Sequence, residues 1–222
     1  MTSKYLPSKT RLDDDDKEKI KQNRIANDSL NFGRAHPKVF KLSDIEKLIL
    51  FRESNDRNEL FAYLLLVTGR RSIEVITGIF KPLTENTISF IGSRKSKGNH
   101  NINKKYKIYV LDDSKVVCEA IDRFQKIMLN EIEEKKKNKT LKTEVVRLIT
   151  ISANVRVDRL LGKIVPEQSN KLPTTPRELR KIYSFLILKY KPEDVGVNDF
   201  ISQNLTHESV TTSLNYETIK II

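Results

Sequence analysis

Thr68-Gly69-Arg70-Arg71-Ser72-Ile73-Glu74 interrupts the most apolar part of this 222-residue chain, and its reading decides the fold. Before it, Asn58 to Val67 is apolar nearly all round, with Leu60, Phe61, Leu64, Leu65 and Leu66. A helix that presents no polar face belongs at the centre of a core. Thr68-Gly69 breaks that helix, and Arg71 to Ile79 can resume as another. Two guanidinium groups at a helix start would face an anion together. Glu74 follows Arg71 by three residues, the spacing at which a carboxylate orients an arginine on one helix face. Taken alone, the fragment also fits an ordinary surface arginine pair.

Outward from this stretch the pattern is mostly α-helical with one small antiparallel β-hairpin. Ser43 is placed to cap a helix through Phe51. Thr87 to Ile91 and Lys107 to Leu111 are short β-branched or aromatic runs flanking a Gly-, Asn- and Lys-rich segment, which predicts a hairpin with a long basic turn. From Ser114 to about Asn138 a long helix carries Val117, Ala120, Ile121, Phe124, Ile127, Met128 and Ile132 on one side. Further helices are expected at Thr143 to Leu161, at Pro176 to Lys189, and in short pieces after Asp199. Thr175 can cap the helix at Pro176, and proline suits its first position. Residues 1–36 keep no apolar period and read as a polar, flexible arm, in which Asp13 to Asp16 form a solvated acidic turn. The body is residues 37–222.

Composition narrows the partner. Hydrophobic residues make up 38% and charged residues 32%, enough apolar material for a folded core. Lys and Arg number 41 against 29 Asp and Glu, a net charge of +12. The arm holds eight basic and six acidic residues, so +2 lies there and +10 on the body. Such an excess favours a polyanion, with nucleic acid the first candidate. No apolar run approaches the roughly 18 residues of a membrane span, and Met1 to Lys9 lacks the apolar stretch of a signal peptide. The single cysteine, Cys118, cannot form an internal disulfide, which suits a reducing, intracellular compartment.

Chemistry is then sought among cations. His36, His100 and His207 are far apart without an HExxH pattern, and no Gly-rich phosphate loop occurs. Arg94 to Lys107 holds six basic residues and no acidic one at the hairpin turn. Arg94, Lys97, Lys104 and Lys105 would meet phosphates there, together with Arg70 of the first stretch. A lysine at a hairpin tip can also swing into a site and donate a proton. Arg177-Glu178-Leu179-Arg180 sets two arginines one turn apart, with Leu179, Ile182, Phe185 and Leu186 available for burial. Finally, Leu205-Thr206-His207 precedes Tyr216 by a short Ser/Thr-rich interval; by itself Tyr216 reads as a packing residue.

In order and spacing these four clusters resemble the active site of the tyrosine recombinases, the DNA breaking and rejoining enzymes that include the telomere resolvases. Thr68 to Glu74 is similar to that family's TGxRxxE motif, which makes Arg71 the first catalytic arginine and Glu74 its supporting acid. Lys95 falls at the β-hairpin lysine, with Lys97 close behind. Arg177 and Arg180 occupy the first and last positions of an HxLR box. Leu205 to His207 is similar to LGH, and Tyr216 stands where the nucleophile is expected. The resemblance implies the tyrosine recombinase catalytic-domain fold and a double-stranded DNA partner. It also implies self-association on DNA as a dimer or tetramer, and a reaction that needs no metal ion, ATP or other cofactor. Tyr216 would form a 3′-phosphotyrosyl bond, Arg71 and Arg180 would hold the phosphate, His207 would add a hydrogen bond, and Lys95 would protonate the departing 5′-oxygen.

Two positions depart from the pattern. The box begins with Arg177, a poor proton carrier near neutral pH, and Thr206 replaces the usual glycine. A site-specific integrase and a hairpin-forming telomere resolvase both remain open, as does a non-catalytic basic DNA-binding protein on the same fold. The family normally carries a DNA-clamping domain before the catalytic one; the 36-residue arm stands in its place here, so the chain is expected to be a catalytic fragment or a minimal member. The six residues beyond Tyr216 are expected to be too few for exchange of a C-terminal tail.

Overall fold

The computed structural model describes residues 38–92, 104–136, 142–164, 175–206 and 219–222. Arm residues 1–36, and with them Asp13 to Asp16, lie outside the described residues. In chain order the elements begin β1 (Lys38–Phe40), α1 (Leu42–Ile49), a 3-10 turn (Leu50–Glu53), α2 (Arg57–Thr68) and α3 (Ser72–Thr77). There follow β2 (Ile79–Thr84), β3 (Thr87–Ile91), β4 (Lys105–Tyr109), α4 (Ser114–Lys136) and α5 (Lys142–Ile164). The chain ends with α6 (Pro176–Leu186), a second 3-10 turn (Ile187–Tyr190), α7 (Val197–Asn204) and β5 (Ile219–Ile221).

Helix α2 is the hub. Asp56 starts it, its carboxylate accepting from the backbone N–H groups of Asn58 and Glu59 at 2.8 and 3.0 Å. Every residue from Leu60 to Thr68 is buried. With no polar face to keep in water, the helix is enclosed by α1, α4, α5 and α6. Phe61 stacks on Phe124 of α4 with ring centroids 4.8 Å apart. The buried face of α4 is Val117, Ala120, Ile121, Phe124, Met128 and Ile132; Ile127 is instead exposed. Cys118 is buried, and burial together with Asp122 and Glu119 pushes its thiol up to about 11, so it is a packing residue.

Several boundaries differ from the sequence spacing, among them the helices expected to run through Phe51 and Lys189, which end at Ile49 and Leu186 and continue as the two 3-10 turns. Helix α1 begins at Leu42, without Ser43 as a cap, because the C-terminus supplies the missing partner. The Leu42 N–H donates to the carbonyl of Ile222 (2.9 Å), whose own N–H donates to Phe40 (2.9 Å), extending the parallel pairing of β1 with β5. The helix after Gly69 stops at Thr77. Gly78 turns the chain there, and Gln125 of α4 donates to the carbonyls of Val75 and Gly78, both at 2.9 Å. Ile79 therefore opens a strand, and the expected hairpin is a three-stranded antiparallel sheet in the order β2-β3-β4. Pro82, which cannot donate to a ladder, lies on exposed edge strand β2, next to a register irregularity before Thr84. Strand β4 starts and ends two residues earlier than the expected Lys107 to Leu111, with Lys105 paired to Ile91 and Tyr109 to Thr87. Leu111 has left the sheet, its N–H bonded to Val67 of α2 at 3.1 Å.

Gly69 locks the hub to α6. It ends α2 in the left-handed conformation, with φ of +60°, and its N–H bonds Leu65 at 3.1 Å. A β-carbon at this position would lie 2.1 Å from the Tyr183 ring. Tyr183 is fully buried and donates its hydroxyl to the Tyr109 carbonyl at 2.7 Å, so the ring is fixed from the sheet side. Gly69→Ala is expected to lower stability by about 2–4 kcal/mol, the sum of backbone strain and overpacking. Urea unfolding measures it, and a loss under about 1 kcal/mol would show that α6 can yield.

Candidate active site

The site grows from a helix start. Arg71 precedes the first turn of α3, and the Glu74 carboxylate folds back to accept from the Arg71 backbone N–H (3.0 Å) and from its Nη1 (2.8 Å). A carboxylate at an N-terminal turn is favoured by the unpaired N–H groups there. Glu74 is also approached by Arg70 Nη1 at 4.0 Å and by Arg180 Nη1 of α6 at 3.9 Å. One carboxylate is thus shared by three guanidinium groups, and the four side chains together carry a net +2.

Burial sorts these arginines by task. The Glu74 and Arg70 side chains are 0% exposed and Arg180 is 9% exposed, whereas Arg71 is 39% exposed. Burial alone would raise the Glu74 carboxyl pKa, but Arg70, Arg180 and Arg71, with the Arg71 backbone N–H, together hold it below the ordinary carboxylate range. Glu74 thus stays ionised and keeps the guanidinium forks in place. Arg180 donates to the Leu205 carbonyl at 2.7 Å, which ties α6 to the end of α7.

Arg70 departs from the expectation that it faces a phosphate beside Arg71. Its guanidinium is fully enclosed, lying over the Phe90 ring at 5.2 Å from the centroid. It donates to the carbonyls of Thr68 (3.3 Å) and Asn204, and to the Thr206 hydroxyl (3.3 Å). Its hydrogen bonds and the Phe90 ring hold it inside, while Arg71, extended at the start of α3, stays 39% exposed. DNA has no surface to meet at Arg70.

Helix α6 begins as its sequence predicts. Pro176 takes the first position, and the Glu178 carboxylate accepts from the Thr175 N–H (2.7 Å) and hydroxyl (3.1 Å). Leu179 and Ile182 are buried, but Phe185 is exposed and Tyr183 takes the interior position beneath Gly69. Arg177 is exposed at the helix start while Arg180, one turn on, is buried. Just before β4, Lys104 lies over the Tyr106 ring at 5.3 Å, and Lys105 and Lys107 of β4 are exposed. Arg94, Lys95, Lys97, His207 and Tyr216 lie outside the described residues. The structure therefore brings together Arg71, Glu74 and Arg180.

Three contributors escape sequence reasoning. Asn204 accepts from the Tyr109 N–H at 2.9 Å and donates to the Phe200 carbonyl at 2.8 Å, joining α7 to β4. Gln125 fixes the end of the helix that carries Glu74. Ser72 bonds Asn154 of α5 at 2.5 Å. No local pattern marks these polar residues, since each acts on a segment distant in sequence.

A family model described as the telomere resolvase ResT/TelK catalytic domain matches residues 38–218. The chain belongs to that family. Membership makes it a DNA cleaving and rejoining domain, which is compatible with both enzymatic readings left open by sequence. Solved structures agree on the fold. A point variant of protelomerase tela, covalently complexed with substrate DNA, superposes with a TM-score of 0.75 at 20% identity, over 95% of this chain and 68% of that one. Another tela variant, complexed with a DNA hairpin product, gives 0.73 at 20% identity, over 95% and 67%. Protelomerase TelK complexed with substrate DNA gives 0.71 at 20% identity, over 96% of this chain and 43% of its own. No curated protein matches. Among the described residues no helix is long and apolar enough to cross a membrane.

Because the Glu74 pKa is lower folded than unfolded, its contribution is complete above the unfolded value of about 4.3 and is lost as pH falls through the folded one. Glu74→Gln should remove that acid-sensitive component. At pH 7 it should cost about 3–5 kcal/mol, since it strands buried guanidinium charge. Urea midpoints of both proteins between pH 3 and pH 7 provide the check; parallel profiles would contradict the assignment.

Proposed function

We propose that this chain is a telomere resolvase: it cuts double-stranded DNA through Tyr216 and rejoins each end to the opposite strand as a hairpin. The observation that carries the proposal is the Arg71–Glu74–Arg180 constellation in a chain whose residues 38–218 match the telomere resolvase catalytic domain. A phosphate oxygen needs a fixed fork of donors at the site where charge develops. Arg71 is exposed enough to meet it, and Arg180 stands behind it on the shared carboxylate.

In the proposed reaction the Tyr216 oxygen attacks the scissile phosphorus, passing its proton to solvent water as the new P–O bond forms. The bond from phosphorus to the 5′-oxygen breaks, and Lys95 gives that oxygen its proton. Lys97 is the neighbouring candidate for this step. His207 adds a hydrogen bond to the phosphate. Arg177, exposed at the start of α6, joins the phosphate grip; Arg94, Lys97, Lys104 and Lys105 contact the DNA backbone. The 3′-phosphotyrosyl bond conserves the energy of the phosphodiester, so attack by a 5′-hydroxyl reverses the chemistry. Neither a metal ion nor ATP is required in this scheme. Hairpins at both ends demand two cuts related by a two-fold axis, hence two copies of the chain on an inverted repeat. The setting is intracellular, on DNA.

The test uses a randomised pool of nicked inverted-repeat duplexes, from which the cleaved sequence is recovered through its covalent attachment to protein. Wild type should give a denaturation-resistant adduct and, on the unnicked site, hairpin-ended products in the presence of chelator. Tyr216→Phe should give neither. Strand exchange without hairpins would favour an integrase, and absence of an adduct would favour the non-catalytic DNA-binding reading.

A further inference from the structure

The three-stranded sheet has two unlike faces. Its inner face carries the aligned row Phe80, Phe90 and Tyr106, with ring centroids 5.0 and 6.3 Å apart, and Ile88 and Ile108 are buried beside it. Because side chains alternate along a strand, the rows on either side of that one point the other way. They are Ile79, Ile91 and Lys105, and then Lys81, Ser89 and Lys107. Lys81, Lys105 and Lys107 are exposed, and neither row contains a carboxylate. Among the described residues none of these lysines has an ion pair or hydrogen bond. Elsewhere the protein pairs its cations, as in Lys47 with Asp44 at 2.9 Å and Arg57 with Glu131. Ser89, between Lys81 and Lys107, is 4% exposed, and its hydroxyl also has no partner among the described residues. Neighbouring strands lie about 4.8 Å apart, which sets Lys81 and Lys107 about 10 Å apart across that hydroxyl, with Lys105 about 7 Å along the strand from Lys107. Three uncompensated cations on one flat face repel one another and favour a polyanion as cover.

We propose that this outer face is a track for the DNA backbone. Lys81, Lys105 and Lys107 each neutralise a phosphate, and the Ser89 hydroxyl donates to a phosphate oxygen between Lys81 and Lys107. Lys105 already has a place on DNA in the proposed function; Lys81, Ser89 and Lys107 widen that contact across all three strands. Contacts of this kind hold the duplex in position and read no sequence. The inference rests on double-stranded DNA as the partner and is independent of the cleavage step. A lysine on an edge strand has a second use, keeping that edge from pairing with another sheet. The test separates the two.

Fluorescence anisotropy measures the affinity of the full chain for a random-sequence duplex over a series of salt concentrations. The slope of log affinity against log salt counts neutralised phosphates, at about 0.9 for each on duplex DNA. Lys81→Gln and Lys107→Gln should each flatten the slope by about 0.9, and the double variant by about 1.8. Lys81→Arg and Lys107→Arg keep the charge and should keep the slope. Ser89→Ala should weaken binding about 2- to 10-fold at an unchanged slope, because a neutral hydroxyl releases no counterion. Lys126→Gln, exposed on the helix that packs against the sheet from the inner side, should behave as wild type. The lysines are exposed, so their variants should melt as wild type does; where Ser89→Ala fails to fold, the lysine variants alone decide. A wild-type slope in both Lys81→Gln and Lys107→Gln would overturn the proposal, and self-association of Lys81→Gln alongside it would assign that lysine to guarding the edge. A wild type whose affinity for duplex ignores salt would count against DNA as the partner and remove this proposal with the proposed function. Flattened slopes in a protein that forms no covalent adduct would support the track while striking at the cleavage reading alone.

Discussion

The interaction on which this molecule depends is one buried carboxylate, Glu74, shared by Arg70, Arg71 and Arg180. Removing ionised groups from water is costly unless they are paired, so this cluster persists only because the fold over-determines it. Glu74 is held by the first turn of α3, whose far end is fixed by Gln125. Arg180 is held by α6, which Tyr183 and Gly69 lock to the hub helix. The tight helix termini and the close packing of α2 against α6 therefore serve one end: fixing donor positions that water would otherwise blur.

Legibility in the sequence tracked the range of the forces involved. Helix α2 was legible because its all-round apolar pattern admits only a central position. The start of α6 was legible because Thr175 and Pro176 act within one turn, and the structure adds Glu178 to them. Strand β2 was not, since Ile79 continues a helical spacing and Pro82 argues against a strand until the exposed edge is seen. The β1–β5 pair was not, because three-residue strands carry no period and their partner lies at the opposite end of the chain.

The candidate site divided in the same way. Arg71, Glu74 and Arg180 were readable from motif spacing, and their meeting follows from the fold. The inward turn of Arg70 was unreadable, because adjacent arginines look alike in sequence and the partners that enclose one of them, Asn204, Thr206 and Phe90, lie far along the chain. Thr206 stood out as a departure from glycine. The structure supplies its reason: the backbone still takes the left-handed conformation, while the hydroxyl engages Arg70. A departure at one motif is thus tied physically to a neighbour of another.

Everything above depends on Glu74 being an ionised carboxylate, kept so by the surrounding guanidinium groups. Carbon-13 NMR titration of the Glu74 side-chain carboxyl in the intact chain measures this directly. The expected midpoint lies below the ordinary glutamate value of about 4.3. A midpoint at or above that value would mean that burial outweighs the three arginines, and would contradict it.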